Sequence, residues 1–200
     1  ISLASWIGLA IASRGNSPPQ ANSISLGVEQ SRRHGVSLIG EITTPPCNYA
    51  LSDDDPQLAC FAETLGLSLT RSEERLMAAI KQTELDPWCG LSPHAPYSTT
   101  RETIRACVDV SKRTGRSLAM HVAESPVERE LLQSGRGPLA DSLKQLGVFR
   151  QGLFPWQPRP MEWLIDTLAQ GSRALLIHGN DLRPSEIARL TPHHHLSVVY

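Results

Sequence analysis

The sequence lacks the features that define several common protein classes. It has no run of ~18 apolar residues, the length that a membrane-spanning helix needs. Cys47, Cys60, Cys89 and Cys107 form no CxxC pair, so their spacing is that of neither a zinc ribbon nor a dense disulfide scaffold. Lysine and arginine form no basic cluster, and the formal net charge is −1. We therefore expect a cytoplasmic protein with reduced thiols that binds neither nucleic acid nor a membrane.

The amino-terminal segment, residues 1–12, is apolar but has no basic stretch before it, as a signal peptide would have. Its apolar residues follow helical spacing and predict an amphipathic helix; they are Leu3, Trp6, Ile7, Ala10 and Ile11. The chain begins with Ile rather than Met, so we expect that a preceding segment was removed or is not recorded.

Short apolar segments alternate with helical patterns along the chain, which is typical of an α/β protein with parallel strands. The 40% hydrophobic content is enough for a sizeable core. The predicted strands are residues 36–43, 58–63, 88–92, 117–122, 173–178 and 196–200. Helix starts with the capping-box pattern S/T-x-x-E are predicted at Thr70, Thr99 and Ser125, and a helix end at Gly115.

One segment interrupts this alternation. Residues 133–171 contain two stretches rich in glycine or proline around a predicted helix at 139–146. Two interpretations stay open: a long connection that folds over the mouth of a site, or a surface loop without a function.

Polar residues capable of chemistry follow the ends of the predicted strands. The carboxyl ends of the strands in a parallel barrel share one face, which carries the active site. Taken singly, each residue has a structural explanation: a hydrogen-bonded histidine, a glutamate favoured at a helix start, or a carboxylate that ties loops together. Their shared position predicts that they converge on one cavity. The three histidines among them, together with a glutamate, are typical of a metal-and-water site. These residues are Glu41, Thr43, Glu63, His94, His121, Glu124, His178 and Asn180.

Three adjacent histidines, residues 193–195, precede the last predicted strand and so lie at the opposite end from this site. Successive side chains point in different directions, and we interpret the tract as a solvated loop.

The motifs SPHAPYS (92–98), HVAES (121–125) and LIHGND (176–181), in this order after strands, resemble the deaminase-like branch of the amidohydrolase superfamily. That branch includes guanine, cytosine and methylthioadenosine/S-adenosylhomocysteine deaminases and triazine hydrolases. The resemblance runs over residues 35–200. It implies a partial (β/α)8 TIM-type barrel, from about the second to the seventh strand–helix unit.

The resemblance also implies a role for each matching residue. His121 corresponds to a metal ligand, and Glu124 to the glutamate that carries protons between the activated water and the substrate. His178 corresponds to a histidine that contacts the attacking water or the substrate, or binds a second metal in binuclear relatives. His94 corresponds to a substrate-contacting histidine. The implied cofactor is one divalent metal, zinc or alternatively iron, which lowers the pKa of a bound water.

The sequence departs from the family in two places. Outside the histidine tract at 193–195, no HxH pair of metal ligands occurs, and the family's last aspartate ligand would lie beyond Tyr200. A complete barrel takes ~250 residues, so we expect residues 1–200 to be an incomplete barrel, truncated at both ends. By themselves they are expected to lack catalysis and to expose two strand edges, an aggregation liability.

Three functions remain open at this point. The first is hydrolytic deamination of an aminated nitrogen heterocycle, purine-like, by metal-activated water. The second is hydrolysis of another C–N bond or a C–Cl bond by the same site. The third is a non-catalytic barrel relative that lacks metal ligands and serves as a scaffold. The expected partner is a small heterocyclic substrate, and self-association into a homo-oligomer is open.

Overall fold

The computed structural model describes residues 2–16, 23–49, 51–156 and 158–200. Six strands lie in chain order in one parallel sheet. They are β1 (Leu38–Thr43), β2 (Gln57–Thr64), β3 (Gly90–Pro93), β4 (Ser117–Val122), β5 (Arg173–His178) and β6 (Leu196–Val199). The helices are α1 (Leu3–Asn16), α2 (Ser23–Arg33), α3 (Leu69–Leu85), α4 (Arg101–Thr114), α5 (Pro126–Ser134), α6 (Pro138–Gln145), α7 (Pro160–Leu168) and α8 (Pro184–Leu190).

The parallel sheet and the helices between its strands form a half-barrel, which confirms the predicted fold. Each observed strand begins and ends within two residues of its predicted bounds. The core lies between the outer face of the sheet and the helices. Leu91, Leu118 and Leu176 from the strands are completely buried, as are Ile104 and Leu164 from helices α4 and α7.

The predicted helix starts were correct at one site and wrong at two. Helix α3 is capped by Ser68, whose hydroxyl accepts from Arg71 N–H, rather than by Thr70. Helix α4 is capped by Thr100, the neighbour of the predicted Thr99. The capping residue must be the one whose backbone is extended, and spacing alone does not distinguish neighbouring hydroxyl residues. Ser125 precedes α5 as predicted, but its side chain makes no cap hydrogen bond.

The predicted amino-terminal helix is present as α1, but its predicted apolar side is only partly covered. Ala4 is buried, and Leu3 and Ile7 pack against the core. Trp6 and Ile11 keep 56% and 46% of their surface exposed. Within the described ranges, no helix is long and apolar enough to cross a membrane.

Segment 133–171 contains the end of α5 and all of α6 and α7. Phe154 and Trp156 are buried in the connection between these two helices, and Trp156 N–H donates to Leu132 O. The Arg150 side chain donates to Leu67 O. The segment is therefore anchored to the body of the protein, and its role as a cover over a site stays a prediction.

Candidate active site at the carboxyl end of the sheet

The structure brings three of the sequence-predicted histidines side by side. His94 follows β3, His121 lies in β4 and His178 ends β5. The ring centroids of His94 and His121 are 4.9 Å apart, and those of His121 and His178 are 5.3 Å apart. Consecutive parallel strands therefore present a row of imidazoles at their carboxyl ends.

Glu124 lies against this row, and one of its carboxylate oxygens is held by a hydrogen bond. Its Oε1 is 3.7 Å from His178 Nε2, and its Oε2 accepts a hydrogen bond of 3.1 Å from the Tyr97 hydroxyl. Burial, followed by the charge of Glu124, raises the pKa of Tyr97 well above its ordinary value, so the phenol remains a donor. The Glu124 and His178 side chains are 20% and 32% exposed, which leaves both open to a ligand.

The His121 ring has a fixed orientation. His94 O accepts from His121 N–H at 2.9 Å and lies 2.8 Å from His121 Nδ1. A carbonyl oxygen only accepts, so Nδ1 carries the hydrogen, and in the neutral ring Nε2 keeps its lone pair. Metal-binding histidines use this arrangement, in which one ring nitrogen is anchored to a carbonyl and the other binds the ion.

The backbone next to the site has an unusual conformation at two non-glycine residues. Ala123 has φ 53° and His178 has φ 79°, both in the left-handed region. The sheet register pairs His178 with the buried Val122 and Ile177 with His121. Simple alternation therefore predicts the His178 ring on the opposite face of the sheet from His121, yet the rings are neighbours. Strained backbone of this kind is concentrated at functional sites.

Two further predicted residues lie beside the histidines. Glu63 Oε1 is 3.9 Å from His94 Nε2, and Asn180 Nδ2 donates to Glu124 O at 3.3 Å. The opposite ring nitrogen of His94, Nδ1, lies 2.6 Å from Ser98 Oγ. Glu63, Ser98 and Asn180 therefore surround the site and orient its members.

The two predicted residues of the first strand do not join the site. Glu41 lines a cavity between α2 and the first two strands, together with Ile39 and Leu58. Thr43 lies beside the side chains of Cys47 and Tyr49. Strand alternation explains this difference, because Ile39, Glu41 and Thr43 share one face of β1 and that face meets α2.

The histidine tract precedes β6, at the amino end of the sheet. The rings of His193 and His195 are 5.8 Å apart and edge-to-face, and His195 Nε2 lies 2.9 Å from Ala169 O.

The described residues fit a metal ion only in part. His121 offers one well-oriented imidazole, whereas a zinc site needs three or four protein ligands. Across residues 2–16, 23–49, 51–156 and 158–200, no group of three or more His, Cys, Asp or Glu side chains is arranged to hold an ion. These residues alone therefore do not form a complete metal site.

Several residues that shape the site were missed by sequence reasoning. Tyr97 and Ser98 belong to the SPHAPYS motif, and that membership was the available signal. Glu128 was assigned to a capping box with Ser125, but its carboxylate instead accepts from the backbone N–H groups of Ala123 and Glu124 at 3.0 and 2.9 Å. Glu128 is completely buried. Burial raises its pKa to about 8, against the lowering effect of these two N–H donors.

Arg129 joins the segments that follow β4 and β5. Its Nε donates to Asp181 Oδ2 at 2.6 Å, and its terminal nitrogens donate to the Glu186 carboxylate at 2.6 and 2.9 Å. Asp181 N–H in turn donates to Ala123 O at 2.8 Å. The Arg129 side chain is 6% exposed, so these charge-assisted bonds lie out of solvent, where they are strong.

Comparisons with known proteins agree with the motifs. No family model matches the chain. The chain is 27% identical to an aminodeoxyfutalosine deaminase of Deinococcus radiodurans over 182 residues, which cover 82% of this chain and 43% of that protein. The resemblance to deaminase-like amidohydrolases is thereby confirmed.

The fold matches that of an aminofutalosine deaminase of Helicobacter pylori. The crystal structure of that enzyme has a TM-score of 0.78, and its complex with methylthio-coformycin has a TM-score of 0.82. Each is 19% identical in sequence, and the match covers 99% of this chain and 50% of the other. The chain thus spans about half the length of the relatives it matches.

Proposed function

We propose that the complete protein is a hydrolytic deaminase that replaces the amino group of a purine-like heterocycle by oxygen. The observation that carries this proposal is the arrangement of Glu124 between Tyr97 and His178, with His121 as their neighbour. The similarity to aminodeoxyfutalosine deaminase supports an aminopurine derivative, such as aminodeoxyfutalosine itself, as the substrate.

The balanced reaction adds water to the ring carbon that bears the amino group and then expels ammonia. Glu124 takes one proton from the attacking water and passes it to the adjacent ring nitrogen. It then takes the second proton from the added hydroxyl and passes it to the departing amine, so that a carbonyl product and ammonia form. Tyr97 holds the Glu124 carboxylate in place by its hydrogen bond. His178, 3.7 Å from Glu124, steers the water, and His94 contacts the heterocycle.

A divalent metal, zinc or iron, would supply the Lewis acidity that makes water nucleophilic at neutral pH. His121 is the residue of this chain that fits it as a ligand, through Nε2. The remaining ligands would come from residues outside those that the structure describes.

The test is ammonia release by the complete protein, loaded with zinc or iron, from a panel of aminopurine nucleosides, aminodeoxyfutalosine and pterins. We expect release from at least one aminopurine. Release of a different leaving group, such as chloride from a halogenated heterocycle, without ammonia from any amine would favour the alternative hydrolase. The absence of all turnover would favour a scaffold protein.

Glu124→Gln separates the proposed chemistry from binding. The amide keeps the size of the side chain but no longer accepts a proton, so we expect kcat to fall by ~10²–10⁴-fold, the usual contribution of general acid–base catalysis. Metal content is expected to stay at the wild-type level. Glu102→Gln, a change of an exposed glutamate on α4, is the matched control; normal turnover in Glu124→Gln would exclude the assigned role.

A further inference from the structure

We propose that Glu128 is a positioning residue whose buried carboxylate holds the backbone of Ala123 and Glu124 and thereby places the Glu124 side chain. This inference rests on the proposed function, in which Glu124 carries protons. Glu128 itself lies on α5 and is completely buried, so it is not exposed to a ligand.

The geometry of this contact is specific to the segment that bears Glu124. Glu128 Oε1 accepts from Ala123 N–H at 3.0 Å and Oε2 accepts from Glu124 N–H at 2.9 Å. Ala123 is the residue with φ 53°, a conformation that alanine adopts only when surrounding contacts enforce it. The two hydrogen bonds therefore hold the chain in a conformation that it would otherwise leave, at the residue immediately before Glu124.

Capping of the α5 helix does not by itself explain why the Glu128 carboxylate is buried here. Ser125 stands at the N-cap position, but its hydroxyl is buried and has no hydrogen-bond partner among the described atoms. An ordinary cap would come from that hydroxyl at no cost in buried charge, whereas a completely buried carboxylate is expensive to desolvate. Two hydrogen bonds directed at the active-site segment offset part of this desolvation cost.

Arg129 holds the segment that follows the neighbouring strand, β5, in a similar way. Through Asp181 it holds the segment after β5, where His178 has its own left-handed backbone. Asp181 N–H donates to Ala123 O, and Gly179 N–H donates to Val122 O. Consecutive residues of one helix, Glu128 and Arg129, thus set the positions of the two segments that carry Glu124 and His178.

The test compares Glu128→Gln with wild type in the complete, metal-loaded protein. The assay is run above pH 8, where the Glu128 carboxyl is ionised and both of its oxygens accept. The glutamine side chain offers one acceptor oxygen and one N–H₂ group, so one of the two backbone N–H groups loses its partner and faces a donor. We expect kcat for ammonia release to fall by roughly 100-fold, the effect of a small misplacement of a catalytic group. We expect KM to change by less than about threefold, because the substrate contacts remain.

Two further variants distinguish a loss of positioning from a general loss of folding. Glu128→Asp keeps two acceptor oxygens on a shorter side chain, and we expect its kcat to lie between those of Glu128→Gln and wild type. Glu130→Gln changes an exposed glutamate on the same helix and is expected to leave kcat, KM and Tm unchanged. A Glu128→Gln variant with wild-type kcat would overturn the proposal, as would parallel losses of kcat and of Tm in both Glu128 variants.

Amide hydrogen exchange gives a readout that does not depend on activity. In Glu128→Gln, we expect exchange to rise at Ala123 and Glu124 while the amides of β4 remain protected. Unchanged exchange at these two amides would contradict the role of Glu128 even if the enzyme is active. An inactive wild-type protein would contradict the proposed function. The exchange experiment would still test whether Glu128 fixes the backbone of Ala123 and Glu124.

Discussion

Three reactive side chains of the site are oriented by hydrogen bonds to neighbouring residues. His121 is fixed by the carbonyl of His94, Glu124 by Tyr97, and His94 by Ser98. Preorganisation of this kind places catalytic groups before the substrate arrives and removes an entropic cost from the reaction. The hydrogen bonds that orient the reactive groups are therefore expected to affect turnover as well.

Tyr97→Phe is expected to reduce kcat by roughly tenfold, because a hydrogen bond to a carboxylate is worth about 1.5 kcal/mol or more. The ring stays in place, so only a small change in Tm is expected. The measurement is ammonia release by the complete protein. An unchanged kcat in Tyr97→Phe would show that Glu124 needs no such support.

Among the elements, β3 is the short central strand that brings SPHAPYS to the site. Gly90 begins this strand, and a Cβ atom there would lie 2.5 Å from Ser117 O and 2.7 Å from the Phe61 ring. No larger residue fits between β2 and β4 at this point. Close approach of the strands therefore depends on this glycine.

Gly90→Ala is accordingly expected to destabilise the protein by about 1–3 kcal/mol, the usual effect of overpacking a core. Gly40→Ala in β1 is the matched control, since a Cβ atom at Gly40 meets nothing within 4 Å. Urea unfolding of both variants measures the difference. Equal stability of the two variants would mean that the strands separate at little cost.

At the scale of the whole molecule, the sheet ends in two edge strands, β1 and β6. Arg129 and Glu186 join α5 to α8 across the end of β5, which makes their ion pair a connection between distant parts of the chain. Burial by itself raises the pKa of Glu186, but the hydrogen bonds from the Arg129 side chain and Arg183 N–H outweigh it and hold that pKa below its ordinary value.

The pH dependence of stability follows from this lowered pKa. A carboxyl whose folded pKa lies below its unfolded value stabilises the protein above the unfolded value, and this contribution disappears as the pH falls through the folded pKa. We expect Glu186→Gln to have a lower Tm than wild type above the ordinary pKa of 4.5, and the gap to shrink as the pH falls below it. Thermal unfolding across this range measures the gap; Glu102→Gln serves as control, and a gap independent of pH would contradict the argument.

The sequence was enough to predict the bounds of the six strands to within two residues and the convergence of His94, His121, Glu124 and His178. These features follow from hydrophobic periodicity and from the rule that parallel strands end on one face. Tertiary structure decided the rest. Glu41 lies outside the site because its face of β1 meets α2. The His178 ring points into the site because its backbone is left-handed. The role of Glu128 depends on two backbone N–H groups that sequence spacing does not reveal. Such contacts arise only when elements pack, because they join atoms whose separation no local pattern encodes.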